Sequence, residues 1–290
     1  MADPLQYPAL YNDADVASQS AQFEFFALVI GEFTLLAAAA ILSLEMFSSL
    51  PLSFISALIF VAALVLMLLR TLKKADQDWY KCRALAESIK TLAWRYAMRA
   101  QPFDDARTQD ARRDFLIFLK AIFKANQHIG PRIAGLSPDG QQITPEMDAL
   151  RERPLYERKD FYLTNRIKEQ RKWYAGKARH NKKRLKVWIG ICVLVYAAAT
   201  ISVLARIRYP HAMFPTEPLI VIASTLVGWI QIKRYAELAS AYSLTAHEIG
   251  IVEDRATDAK TELQFSDFVN ESELAFSREH TQWIARQHEV

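Results

Sequence analysis

The hydrophobic and polar positions of the chain form four long apolar stretches, arranged in two pairs. The strongest lies in residues 51–70, where 18 uncharged residues stand between Pro51 and Arg70. A helix needs about 20 mainly apolar residues to cross the hydrocarbon core of a bilayer. We therefore predict two transmembrane helical hairpins with four spans, at about 25–47, 51–70, 187–205 and 217–232.

A second apolar periodicity follows each hairpin. Residues recur there with alternating spacings of three and four, which is typical of the a/d seam of a coiled coil. The first seam consists of Leu72, Ala75, Trp79, Cys82, Ala86, Ile89, Ala93 and Tyr96. The second consists of Tyr235, Leu238, Tyr242, Thr245, Ile249 and Val252. No proline separates a seam from its span, so we expect each span to continue as one long cytoplasmic helix, a stalk that packs against other helices or other subunits.

These patterns predict an all-α membrane protein whose two hairpins continue into long cytoplasmic helices. The first domain, 1–130, has a stalk at 70–99 and an amphipathic helix at 107–127. Turn residues predict a linker over 131–153. The second domain, 154–290, has a basic helix that leads into the third span, a stalk at 233–254 and a C-terminal amphipathic helix at 271–287.

Charge is distributed unevenly along the chain. Residues 70–186 hold 28 basic and 14 acidic residues, whereas residues 233–290 hold six basic and eleven acidic ones. Lys and Arg near the ends of spans collect on the cytoplasmic side of a membrane. We therefore predict that the basic segment and both termini are cytoplasmic. Nucleic-acid binding is the other interpretation of this segment, but the membrane rule already accounts for its charge, so we expect no nucleic-acid partner.

No motif for catalysis or metal binding is recognisable. The six histidines form no HExxH pattern, and the two cysteines, Cys82 and Cys192, have no metal-ligand spacing. The sequence contains no phosphate-binding glycine-rich loop and no GxSxG elbow. We expect no enzymatic activity, no catalytic residue, no metal and no cofactor.

One acidic residue is unusual for its place in the first span. Glu32 lies seven residues in from Phe25, roughly 10 Å deep at the rise of an α-helix. Acidic groups within a membrane usually face a bundle interior, a partner or water. Two interpretations stay open: a ring of Glu32 side chains that lines an oligomeric pore, and a protonated or hydrogen-bonded glutamate inside one bundle.

Cytoplasmic cations and aromatic rings offer a second candidate site. An anion pocket for a nucleotide signal is one interpretation of the cations; salt bridges and contact with anionic lipid are the other. These cations are Arg83, Lys90, Arg95, Arg166 and Lys177. The tryptophans also have two interpretations: they stack on a nucleobase, or they pack in a seam or core. These tryptophans are Trp79, Trp94, Trp173 and Trp283.

Three segments together resemble the SLATT families, two-transmembrane effectors associated with bacterial nucleotidyltransferases and nucleotide-sensing proteins. WYKCRALAESIKTLAWRYAMRAQPF, residues 79–103, resembles the motif that follows the hairpin in one branch. YLTNRIKEQRKWYAGKA, residues 162–178, and SELAFSREHTQWIAR, residues 272–286, resemble the opening and the ending of a second branch. The resemblance implies two SLATT domains in tandem.

The resemblance also implies a function. The family is expected to act as a membrane effector of bacterial conflict or antiphage systems, here as an oligomeric pore or membrane-disrupting protein gated through its cytoplasmic helices. Its implied location is the inner membrane of a bacterium. The implied partners are the lipid bilayer, further copies in a homo-oligomer, and a nucleotide second messenger or signalling protein. The alternative is a non-conducting scaffold that recruits a partner through its stalks.

Overall fold

A computed structural model describes residues 5–44, 49–104, 107–133 and 140–288, with side chains described as far as residue 276. Every secondary-structure element in these ranges is helical, which confirms the predicted fold class. The helices are α1 (Ala9–Leu42), α2 (Leu50–Lys73), α3 (Ala75–Ala97), α4 (Thr108–Ala125), α5 (Gly130–Ile133), α6 (Pro145–Arg151), α7 (Leu155–Tyr162), α8 (Glu169–Arg208), α9 (Thr216–Lys233), α10 (Tyr235–Arg255) and α11 (Glu262–His288).

Four helical stretches of the described residues are long and apolar enough to cross a membrane, and only 11–17% of each apolar window is buried. In α2 the buried residues are Ser56 and Ala63, whereas Phe54 and Leu58 are 67% and 53% exposed. A soluble helix buries its apolar face. The reverse arrangement suits a lipid environment, where small residues face neighbouring helices. The four predicted spans are therefore confirmed, although the end of the first, residues 45–47, lies outside the described ranges.

One left-handed residue follows the second span of each hairpin. Lys74 (φ 48°) separates α2 from α3, and Arg234 (φ 48°) separates α9 from α10. The stalks therefore follow their spans directly, but the expectation of an unbroken helix is wrong at these two positions. This conformation costs about 1–2 kcal/mol for a residue with a Cβ. Packing on either side therefore has to hold Lys74 and Arg234 in place.

The helices form two compact units, and both halves of the sequence contribute to each. Unit 1 comprises the described residues of Met1–Gln22, Asp76–Tyr174 and Leu244–Val290. Unit 2 comprises those of Phe23–Ala75 and Ala175–Ser243, which include all four spans. The parts of the two predicted domains that lie outside the spans therefore build one unit together, and their spans build the other.

The core of unit 1 is built around α3. Cys82 and Ile89, which lie on one face of the helix, and Trp94, which lies on another, all have no exposed surface. The amphipathic helix α4 packs against its C-terminal end through Phe115, whose ring centroid lies 5.1 Å from that of Tyr96. A helix that is buried on all sides has to lie at the centre of its unit.

The predicted linker, 131–153, contains helix α6, with Met147 and Leu150 buried. Thr144 and Pro145 start this helix within the segment. The Thr144 hydroxyl accepts a hydrogen bond from the backbone N–H of Met147, and Pro145 occupies the first helical turn, where a missing N–H has no cost. Residues 134–139 lie outside the described ranges.

Candidate functional site

A cleft of about 320 Å³ opens in unit 1, between the start of α1, the middle of α3 and the start of α8. Its walls hold three basic, three acidic and four aromatic side chains. The cleft is lined by Tyr7, Tyr11, Asp15, Gln19, Arg83, Glu87, Lys90, Asn165, Arg166, Glu169, Gln170, Trp173 and Tyr174. Because its formal charges balance, an anionic ligand has to compete with carboxylates that are already in the wall.

The segment before α1 is fixed by hydrogen bonds to residues far along the chain. The N–H of Ala9 donates to the carbonyl oxygen of Gln141 over 3.0 Å, and the Thr144 hydroxyl donates to the carbonyl of Gln6 over 2.9 Å. These bonds satisfy backbone groups that would otherwise be left without partners. They also hold Tyr7 at the edge of the cleft.

Two tyrosines form the aromatic wall. The rings of Tyr7 and Tyr11 lie 4.5 Å apart, and the buried indole of Trp94 donates a hydrogen bond to the Tyr7 hydroxyl over 2.9 Å. The ammonium group of Lys90 lies 4.9 Å from the centroid of the Tyr7 ring and 5.9 Å from that of Tyr11. A cation over an aromatic face is attracted by the ring quadrupole. Lys90 is therefore held in the cleft by aromatic rings.

Arg83 is the cation that carboxylates hold in the cleft. Its guanidinium lies 2.7 Å from Glu87, one turn further along α3, and 3.8 Å from Asp15 on α1. Burial by itself lowers the pKa of Arg83, but these two carboxylates outweigh it and the pKa is raised. Arg83 therefore stays charged and links α3 to α1.

Arg166 forms a buried ion pair behind the cleft. It lies in a π-helical turn, Leu163–Lys168, which connects α7 to α8. Its Nε and Nη2 donate to the two oxygens of Glu273 on α11 over 2.8 and 2.7 Å, and the Tyr162 hydroxyl donates to the same carboxylate. Burial by itself lowers the pKa of Arg166. The Glu273 carboxylate outweighs this effect, so the pKa of Arg166 is raised. Burial is also the main reason why the pKa of Tyr162 is raised.

Three of the five predicted anion contacts therefore meet at one place, namely Arg83, Lys90 and Arg166. Arg95 lies half-buried on α3, where burial lowers its pKa. Lys177 is exposed on α8, in unit 2. The sequence identified the cations of the cleft but missed its carboxylates, Asp15, Glu87 and Glu169.

The tryptophans have different environments. Trp94 is buried, Trp79 is half-buried with its ring 4.6 Å from that of Tyr80, and Trp173 lines the cleft. Trp283 lies beyond the described side chains. Tyr7 and Tyr11, the aromatic residues beside the Lys90 cation, were not among the predicted site residues. Tyr7 precedes α1 and Tyr11 lies in its first turn, so no helical spacing marked the pair.

The two predicted seams are mostly buried within the single chain. In the first, Ala75, Cys82, Ala86, Ile89, Ala93 and Tyr96 are buried, Trp79 is half-buried and Leu72 is 76% exposed. In the second, Tyr235, Thr245 and Ile249 are buried, and Leu238, Tyr242 and Val252 are half-buried. Contact with other subunits through these residues stays a prediction.

Glu32 forms an ion pair within unit 2. Its carboxylate lies 3.2 Å from the guanidinium of Arg70, and the two side chains are 11% and 28% exposed. Nearby, a side chain in place of Gly31 would meet Leu66 on α2 at 3.0 Å, so glycine permits the close approach of these helices. Neither interpretation of Glu32 included an ion pair with Arg70, and the pore-lining interpretation and the protonated or hydrogen-bonded one both stay predictions.

The fold defines a multi-span membrane protein with a helical unit outside its spans. The family model described as SMODS and SLOG-associating 2TM effector domain 3 matches residues 8–159, and that of SMODS and SLOG-associating 2TM effector domain 1 matches residues 162–283. The first match alone covers more than half of the chain, which therefore belongs to the SLATT family and carries two such domains in tandem. No curated protein matches the chain significantly. No solved structure does so either.

Proposed function

We propose that the protein is an oligomeric membrane effector of a bacterial conflict or antiphage system, and that a signal bound by its cytoplasmic helices opens a pore or disrupts the bilayer. The family description, a two-transmembrane effector domain, supports the membrane and effector parts of this proposal. One observation carries the gating part: two of the helices that build the cleft also form spans.

Helix α1 runs unbroken from Ala9 to Leu42, so that Asp15 in the cleft and Glu32 in the first span belong to one helix. Helix α8 likewise joins Trp173 in the cleft to the third span. Rigid helices that pass through two sites can transmit a change in packing from one site to the other. A ligand that moves the start of α1 or α8 therefore acts directly on a span.

A nucleotide second messenger is the signal that suits the cleft best. Its base would stack on aromatic rings such as Tyr11 and Trp173, and its phosphate would compete with Asp15 and Glu87 for Arg83. Release of these carboxylates would loosen the link between α1 and α3. That change is the proposed start of gating.

The test is ion flux from liposomes that contain the full chain, measured with a panel of cyclic and linear nucleotides. We expect one nucleotide class to start flux, and Arg83→Gln to raise the concentration needed. Arg107→Gln is the matched control, because Arg107 is 78% exposed and pairs with Asp110 outside the cleft. Flux that no nucleotide changes, or that both variants change equally, would contradict gating through the cleft.

The conduction path is proposed to pass beside Glu32. Glu32→Gln and Glu32→Ala proteins should then show altered cation preference in the same liposomes, since carboxylate rings select cations. If both variants conduct with unchanged ion preference, Glu32 does not line the path.

We place the protein in the inner membrane of a bacterium, with both termini in the cytoplasm. The basic residues at the inner ends of the spans support this orientation, among them Arg70, Lys73, Lys186 and Lys233. An epitope inserted after Asp139 should be protected from protease in intact spheroplasts and cleaved after lysis. Cleavage in intact spheroplasts would reverse the proposed orientation.

A non-conducting scaffold is the second candidate. Leu244 and Ile251 are 63% and 65% exposed on α10, and their spacing of seven places them on one face of the helix. A partner helix that docks there would support this function. A protein that recruits a partner through Leu244 but never conducts, under any signal tried, would favour the scaffold.

A further inference from the structure

Helix α4 carries an exposed surface that the proposed function does not use. Its buried side, Ala111, Phe115 and Leu119, packs in the core of unit 1. Elsewhere on the helix, four large apolar side chains are 41–58% exposed within eight consecutive residues. Leu116, Ile117 and Phe123 lie on the side of the helix that carries Lys120 and Lys124, whereas Phe118 lies on the other flank, beside Phe103. So many exposed apolar groups on one short helix mark an interaction surface.

The charge on this surface is basic. Lys120 and Lys124 are exposed and lie one turn apart, and neither forms a salt bridge within the described part of the chain. The sequence has no acidic residue from Phe115 to Pro138. The acids nearer the start of the helix, Asp110 and Asp114, lie beside Arg107 and Arg113. The second half of α4 therefore combines uncompensated lysines with apolar side chains.

We infer that the second half of α4 lies on the cytoplasmic surface of the bilayer and binds anionic lipid headgroups. Interfacial helices place Lys at the headgroups and insert neighbouring apolar side chains at the acyl boundary. The spans of the same chain keep the bilayer close, so that α4 meets lipid at a high local concentration. A second copy is the less favoured occupant, since a two-fold contact would bring Lys120 and Lys124 against their own equivalents.

The test uses nitroxide labels on single cysteines in the full chain, with Cys82 and Cys192 replaced by alanine. Labels at Ile117→Cys and Phe123→Cys are compared with Leu263→Cys, an equally apolar control that is 64% exposed on α11. The protein is reconstituted in phosphatidylcholine vesicles with or without phosphatidylglycerol. The ratio of oxygen to nickel-chelate accessibility is then measured for each label.

We expect a severalfold higher ratio at positions 117 and 123 than at 263, and a further rise with phosphatidylglycerol. Lys120→Gln and Lys124→Gln should each lower the equilibrium constant for association of α4 with the bilayer about fivefold. Equal ratios at all three positions would overturn the inference. So would dipolar broadening at position 117 that grows with protein density, because it would show that a second copy covers this surface.

Discussion

The side chains of Arg166 and Glu273 form a bidentate ion pair, and the two side chains are only 2% and 0% exposed. The pair joins the π-helical turn to α11 across 107 positions of sequence. Removing one partner of a buried pair leaves a charge without compensation, which is far more costly than the net contribution of the pair. Arg166 therefore depends on α11 to stay where it is.

Glu273→Gln should destabilise unit 1 by about 3–5 kcal/mol, because it leaves the Arg166 charge buried and unpaired. The measurement is the unfolding midpoint in detergent, by heat or denaturant. Glu271→Gln is the control: Glu271 lies two residues away and forms an exposed pair with Arg255, which contributes about 0–1 kcal/mol. Similar midpoints for the two variants would show that Arg166 finds another partner or water.

The thiol of Cys82 should resist labelling at neutral pH. Burial, and then the nearby carboxylate of Asp78, raise its pKa to about 11, and the thiolate is the reactive form. In a Cys192→Ala protein, maleimide modification should therefore be slow at pH 8 and accelerate up to about pH 11. The raised pKa also contributes to the stability of the fold. This contribution is fully present below the ordinary pKa of a thiol and is lost as the pH rises through about 11. Rapid labelling of the folded protein at pH 7 would be incompatible with this environment.

Lys74→Gly should stabilise the protein by up to about 1 kcal/mol, because glycine adopts the left-handed conformation without the cost that a Cβ imposes. Thr71→Gly provides the comparison, since Thr71 lies inside α2 and glycine there should cost about 0.5–1 kcal/mol. Unfolding midpoints that fall equally for both variants would mean that Lys74 is not left-handed in solution.

The ion pair between Glu32 and Arg70 should show coupling. Glu32→Gln leaves Arg70 without its partner, and Arg70→Gln does the same to Glu32. The double variant should therefore lose less stability than the sum of the two single variants, by roughly 0.5–3 kcal/mol. Thermal midpoints in detergent for all four proteins give the coupling. A strictly additive result would show that the two side chains do not interact.

The spans and seams were predictable because their signals are local. Eighteen uncharged residues in a row identify a span without any knowledge of the rest of the chain, and the spacing of Cys82, Ile89 and Tyr96 identifies a buried helix face. The helix at Pro145 was also within reach. A threonine, a proline and an acidic first turn are a helix-start signal that outweighs the turn residues before it.

The cleft was only partly predictable. Its cations stand out in the sequence, and the spacing of four between Arg83 and Glu87 was also available. Asp15, however, meets Arg83 from another helix, and Arg166 meets Glu273 only because α11 folds back onto the π-helical turn. Pairings across such distances leave no periodic trace. The left-handed residue Lys74 was equally hidden, because no glycine marks it and tertiary packing imposes its conformation.

The cleft draws its walls from both family domains. Tyr11, Arg83 and Lys90 lie in the first matched domain, residues 8–159, whereas Arg166 and Trp173 lie in the second, residues 162–283. A protease cut at that junction would leave each fragment with only part of the cleft wall. A messenger that binds in the cleft would contact both domains at once, so neither domain would bind it when expressed alone.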